Sequence, residues 1–111
     1  MEWNTLTSEK QLDDLVGLSE DYRVVIFKHS TSCGISRMVL KNLESQISQN
    51  KPEQTEYFFL DLLKYRSISN AISEKFQVIH QSPQMIILDN KEVAYADSHS
   101  SISIDYLTKD A

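Results

Sequence analysis

Val24-Val25-Ile26-Phe27-Lys28-His29-Ser30-Thr31-Ser32-Cys33-Gly34-Ile35-Ser36 joins two different patterns. Its first four residues are continuously apolar and mostly β-branched, as expected of a strand covered on both faces. Its last residues open a helical repeat. Ile35, Val39, Leu43 and Ile47 recur every four positions with Met38 and Leu40 beside them, while Arg37, Lys41, Glu44 and Gln46 take the other face. Between strand and helix lies a small, polar turn that holds the chain's single cysteine, Cys33.

Working outward, a helix is predicted from Thr7 or Ser8 to about Gly17, with Leu12, Leu15 and Val16 at helical spacing behind a hydroxyl N-cap. After the second helix, Asn50-Lys51-Pro52 is a stop, and Tyr57-Phe58-Phe59-Leu60 is a second buried-strand run closed by Asp61. Ile68, Ala71, Ile72 and Phe76 form a third helical stripe. Pro83 precedes the strand run Met85-Ile86-Ile87-Leu88, and Asp89-Asn90-Lys91 turns it into Glu92-Val93-Ala94-Tyr95-Ala96 as a hairpin. A short closing helix is expected between Ser100 and Lys109.

The first two strands are joined by a helix long enough for a parallel crossover, and the last two pair antiparallel. A mixed four-stranded sheet flanked by helices covers runs this apolar, so the predicted class is α/β with a thioredoxin-like fold. One domain spanning 1–111 is expected.

The chain has 111 residues, 41% of them hydrophobic and 24% charged, enough to build a core without disulfides or structural metal. A net charge of −5 and the lack of a basic stripe argue against nucleic acid as a partner. No basic leader or membrane-length apolar run is present, so no membrane association is expected and the cytoplasm is the expected location. A monomer is expected.

A thiol at a helix N-terminus meets unsatisfied backbone N–H groups and the positive end of the helix dipole, which favour thiolate. A free thiol with a pKa of roughly 8.5 is only a few per cent ionised at neutral pH, and the dipole alone contributes about 0.3 to 1 kcal/mol. Gly34, Ile35 and Ser36 are therefore candidate stabilisers, through the backbone N–H groups of Ile35 and Ser36 or the Ser36 hydroxyl. Ser36 has a second assignment, as an exposed serine of the first helical turn. With one cysteine, no internal disulfide closes, and any redox cycle passes through a mixed disulfide with an outside thiol. The competing assignment for Cys33 is a buried, inert core thiol.

Ser82-Pro83 stands at the start of a strand, where proline is tolerated. In a thioredoxin-like fold this proline is expected to be cis and to face the cysteine, which makes Ser32, Ser82 and Pro83 candidate substrate-binding residues. His29, His80 and His99 match no zinc-ligand spacing, so no metal site is expected, although His29 is near enough to Cys33 in sequence to support it. Lys28, Arg37 and Lys41 are either a local positive field for an anionic thiol or solvated helix-face charges.

Phe27-Lys28-His29-Ser30-Thr31-Ser32-Cys33-Gly34-Ile35-Ser36, together with His80-Gln81-Ser82-Pro83-Gln84 and Ala96-Asp97-Ser98-His99, resembles the monothiol bacilliredoxin family over essentially the whole chain. The resemblance implies removal of bacillithiol, a low-molecular-weight thiol, from protein mixed disulfides. It implies Cys33 as the attacking cysteine, Ser36 where a dithiol relative carries its resolving cysteine, and Pro83 as the cis-proline. Its implied partners are S-thiolated client proteins and bacillithiol as co-substrate, with no tightly bound cofactor. Gly34 departs from a pattern that often has proline there. Cys33-Gly34-Ile35-Ser36 is also similar to the cysteine-glycine-phenylalanine-serine signature of monothiol glutaredoxins, which would imply an iron–sulfur carrier. The glycine-glycine segment of that family is absent. A thioredoxin-like interaction module with an inert thiol is the third alternative.

Overall fold

The computed structural model describes residues 2–108. Five strands form one mixed sheet: β1 (Trp3–Thr5), β2 (Arg23–His29), β3 (Thr55–Asp61), β4 (Gln84–Asp89) and β5 (Glu92–Ser98), in the order β1-β3-β2-β4-β5. β2 pairs parallel with β3 and antiparallel with β4, and β4 and β5 make the predicted hairpin. Three α-helices, α1 (Lys10–Leu18), α2 (Gly34–Asn50) and α3 (Arg66–Phe76), cover its faces.

The expected four-stranded sheet gains a fifth member. β1 is three residues long and pairs parallel with β3 at the sheet's edge. Trp3 anchors it, packing on Phe27, Tyr57 and Phe59 and donating its indole N–H to Glu44 Oε2 of α2 at 2.9 Å. The expected closing helix is instead two short 3₁₀ turns, His99–Ser101 and Asp105–Thr108, and its Lys109 end lies outside the described residues. Arg23 Nη1 donates to the carbonyls of Tyr106 and Leu107, pinning the second turn to the start of β2.

α1 starts later than the hydroxyls at Thr7 and Ser8 predict, with Glu9 as N-cap. Gln11 Oε1 reaches back to accept from the Thr7 and Ser8 N–H groups at 2.7 and 2.9 Å, so a side chain inside the helix satisfies the entering donors. α2 ends at Lys51, whose φ of 45° is left-handed, and Pro52 prevents continuation. In the β4–β5 hairpin, Asn90 and Lys91 have φ of 52° and 70°, the pairing a two-residue primed turn requires.

β2 is the central strand, and strand geometry sends its side chains alternately to the two faces. Val24 and Ile26 join Leu12, Leu15, Ile68, Ile72 and Ile86 beneath α1 and α3. Val25 and Phe27 join Leu43, Ile47, Met85 and Ile87 beneath α2. The same alternation continues past the apolar run, carrying Lys28 toward α3 and His29 toward α2, and both are buried.

Candidate functional site

The site stands at the edge of the sheet where β2 and β3 end and β4 begins. His29 pairs with Asp61, Lys28 with Gln84, and Gln84 with Ser98, so four strand ends meet there. The segment from β2 to α2 closes on itself. Cys33 N–H donates to Ser30 O at 3.1 Å, Arg37 N–H donates to Cys33 O at 3.2 Å, and Arg37 Nη1 reaches Thr31 O at 3.1 Å. Cys33 is the N-cap of α2 with φ −103° and ψ 119°, and its free thiol is half-buried. That placement excludes the sealed core thiol. Exposed Ser32 precedes it, its hydroxyl 3.3 Å from Ser30 Oγ.

Ser36 is not the exposed first-turn serine that one assignment offered. It is fully buried, its hydroxyl 2.8 Å from His29 Nδ1, and it accepts from Ser30 N–H at 3.2 Å. Accepting from Ser30 N–H uses one of the two lone pairs of the oxygen and leaves its proton available for a His29 ring that is protonated on Nε2. Burial lowers the His29 pKa below the ordinary histidine value, against an upward pull from Asp61, and so favours the neutral ring.

The expected hydrogen bonds to sulfur are not formed. Cys33 makes no side-chain capping bond to the first turn, and Ser36 is turned away to the sheet. Ile35 is 58% exposed beside the cysteine, and a Cβ on Gly34 would meet nothing nearer than Arg37 Nη2 at 3.8 Å.

The Ser82–Pro83 peptide is cis. Pro83 leads into Gln84, opposite Lys28, and its carbonyl accepts from His99 N–H at 3.0 Å, so the proline, the end of β2 and the turn after β5 share one edge. Ser82 Oγ and Gln84 Oε1 are buried without a partner among the described residues. His80 and His99 are both exposed.

Lys28 overturns both of its sequence assignments. It is neither a field-forming surface charge nor a solvated helix residue, because it lies wholly buried in the central strand. Nζ donates to Ser69 O at 3.2 Å and Ser73 Oγ at 3.3 Å, and lies 3.3 Å from His80 Nδ1. Burial lowers its pKa to about 8. The available signal was the strand pattern itself, since alternation through Phe27 places residue 28 inside as well. Arg37 and Lys41 are exposed on α2.

A family model for the monothiol bacilliredoxin BrxC matches residues 4–107. The chain belongs to the monothiol bacilliredoxin family. Among solved structures, this bacilliredoxin-family chain is similar to a proposed oxidoreductase with a thioredoxin fold, at 25% identity and TM-score 0.77, over 93% of this chain and 88% of that one. It shares the fold of thioredoxin O2 from Arabidopsis thaliana in its oxidized state, at 18% identity and TM-score 0.69, covering 95% and 87% of the two chains. It also shares the fold of a thioredoxin from Trypanosoma brucei brucei, at 16% identity and TM-score 0.68, covering 90% and 80%. The fold is therefore thioredoxin-like, and the chain is a thiol oxidoreductase in the general sense. Among the described residues no helix is long and apolar enough to cross a membrane.

Proposed function

We infer that the protein removes bacillithiol from client proteins by a single-thiol exchange at Cys33. One observation carries this reading. The only cysteine is accessible at the head of α2, and the position three residues on holds a serine locked to His29. The Cys33 thiolate attacks the bacillithiol sulfur of a client–bacillithiol disulfide. The client sulfur leaves as a thiolate and takes up a proton, and the bacillithiol is now disulfide-bonded to Cys33. The Cys33 lone pair forms the new S–S bond and the pair of the broken S–S bond leaves with the client sulfur, so the client is reduced and Cys33 is oxidised. Without a neighbouring thiol the adduct persists until an external thiol attacks it and regenerates Cys33.

In this reading the anionic sulfur stands at the positive end of the α2 dipole, while Ser32, Ser82 and Pro83 border the bound disulfide. The exposed apolar side chains Ile35, Met38, Leu63 and Ile79 belong to segments entering or leaving this edge and suit a polypeptide client. The reaction needs no tightly bound cofactor, and a reducing cytoplasm is its natural setting.

Substrate discrimination tests the reading. One client protein is prepared as its bacillithiol, glutathione or cysteine mixed disulfide and offered to the protein and to Cys33→Ser. Release of free client should be fastest from the bacillithiol form and absent with C33S. Equal release from all three forms would remove bacillithiol as the specific co-substrate, and release by C33S would remove Cys33.

A further inference from the structure

The segment Ile79–Pro83 is gripped from below by two strand residues in register. Lys28 of β2 and Gln84 of β4 are direct partners across the ladder. Lys28 Nζ lies 3.3 Å from His80 Nδ1, and Gln84 Nε2 donates to Ile79 O at 3.0 Å. Neighbouring side chains from paired strands thus hold consecutive residues of the loop that delivers Ser82 and Pro83.

Lys28 is not held there by a carboxylate. Among the described residues it makes no ion pair, and its surroundings offer three acceptors: Ser69 O, Ser73 Oγ and His80 Nδ1. An ammonium has three N–H donors and no lone pair, so all three are satisfied only if His80 Nδ1 is unprotonated. Ser69 Oγ lies 3.3 Å from the same nitrogen and shares its single lone pair with Lys28 when Nδ1 is unprotonated. His80 is exposed on its outer side and can take a proton from solvent, whereas Lys28 is sealed.

We propose that Lys28 is a positioning residue for exchange at Cys33, fixing the Ile79–Pro83 loop through a neutral His80, so that protonation of His80 unfastens the loop. This rests on the function inferred above for the choice of reaction, but the fastening itself does not. A protonated His80 would turn an N–H toward an ammonium 3.3 Å away, replacing an attraction with a repulsion between like charges. The charged groups bearing on His80 are Lys28 from β2 and Arg66 from α3, both positive. Ser69 and Ser73 of α3 and Gln84 of β4 are neutral. Burial, then Lys28, then Arg66 lower the His80 pKa, in keeping with this surrounding.

The test compares the full chain with Lys28→Met and His80→Gln, using ¹⁵N spectra of the imidazole, amide exchange at Gln84 and at His99, whose N–H is bonded to Pro83 O, and the KM for a bacillithiolated client. In the wild type His80 should be the Nε2–H tautomer at neutral pH. Amide exchange, corrected for its intrinsic pH dependence, should quicken as His80 protonates below the ordinary imidazole pKa of about 6.5. K28M should show about tenfold faster loop exchange already at neutral pH, the factor matching loss of one hydrogen bond to a charged group. Its KM should rise while the rate of Cys33 alkylation by iodoacetamide stays unchanged. H80Q, whose amide oxygen can accept from Lys28 without titrating, should keep slow exchange at acid pH. Loop exchange unaltered by K28M, or an acid response that survives in H80Q, would overturn the proposal. Should K28M not fold, H80Q and the wild-type tautomer decide it. If the wild type does not accept the client, the function inferred above fails, while tautomer and exchange still report on the fastening.

Discussion

Ser36 Oγ and His29 Nδ1 lie 2.8 Å apart, buried between the first turn of α2 and the end of β2. The hydroxyl also accepts from Ser30 N–H, so one serine ties the turn before Cys33 to both elements that flank it. In a single-thiol enzyme the position three residues after the cysteine has thus become a structural clamp.

Removing that clamp tests its worth. Ser36→Ala leaves the His29 ring nitrogen and the Ser30 N–H without their partner, at a cost of about 1 to 3 kcal/mol for a buried unsatisfied group. The midpoint of urea unfolding should fall accordingly, with an unchanged slope. Because Cys33 sulfur makes no hydrogen bond to Ser36, S36A should still acquire the small-thiol adduct.

Stability should depend on pH at both ends of the neutral range, for different reasons. His29 and His80 both have folded-state pKa values below the ordinary 6.5, chiefly from burial. The unfolded chain therefore binds their protons first, and stability should be level above about 6.5 and fall below it. Lys28, lowered from 10.5 to about 8, acts in a higher window. Between those values the unfolded lysine holds a proton that the folded one has released, so stability should rise as pH climbs above 8. The full gain is about 3 kcal/mol, of which only the part below the tyrosine titration near pH 10 is observable. Denaturation midpoints across pH 5 to 9.5 check both signs, and K28M should abolish the alkaline rise. A flat alkaline limb in the wild type would mean that Lys28 keeps an ordinary pKa.

Gly34 has no conformational need to be glycine. None of the chain's glycines has positive φ, and a Cβ at this one has room. It is the first residue of α2, a position that favours proline, and Cys33 already has the extended backbone that a following proline demands. Gly34→Pro should stabilise the protein by about 0.4 to 1 kcal/mol by restricting the unfolded chain, read as a raised thermal midpoint.

β2 and β4 were legible because each rests on a run of four apolar residues that needs cover on both faces, and the crossover because α2 repeats apolar residues every four positions. β1 was not, since three residues carry no period, and it is held by contacts far away in sequence: its ladder with β3 and the Trp3 ring with its bond to Glu44. On α2, the repeat Ile35, Val39, Leu43, Ile47 named the buried face correctly at its far end. At the start the buried residue is Ser36, and Ile35 points to solvent. A hydroxyl can be buried there because His29 and Ser30 satisfy it, a pairing across the turn that no periodicity reveals. Lys28 was misread for a related reason: residue type suggested surface, whereas its place in β2 and three neutral acceptors allow burial. The position of Cys33 at the mouth of α2 was legible from the small polar turn alone, but the direction of Ser36 away from the sulfur was not.

Intact-mass measurement of both proteins in one mixture tests the exchange most directly. An equimolar mixture with a bacillithiolated client should show the client losing the mass of one bacillithiol and this protein gaining it, with the adduct mapping to Cys33 and no client-linked dimer accumulating. A client that keeps its modification while Cys33 remains free would contradict the account.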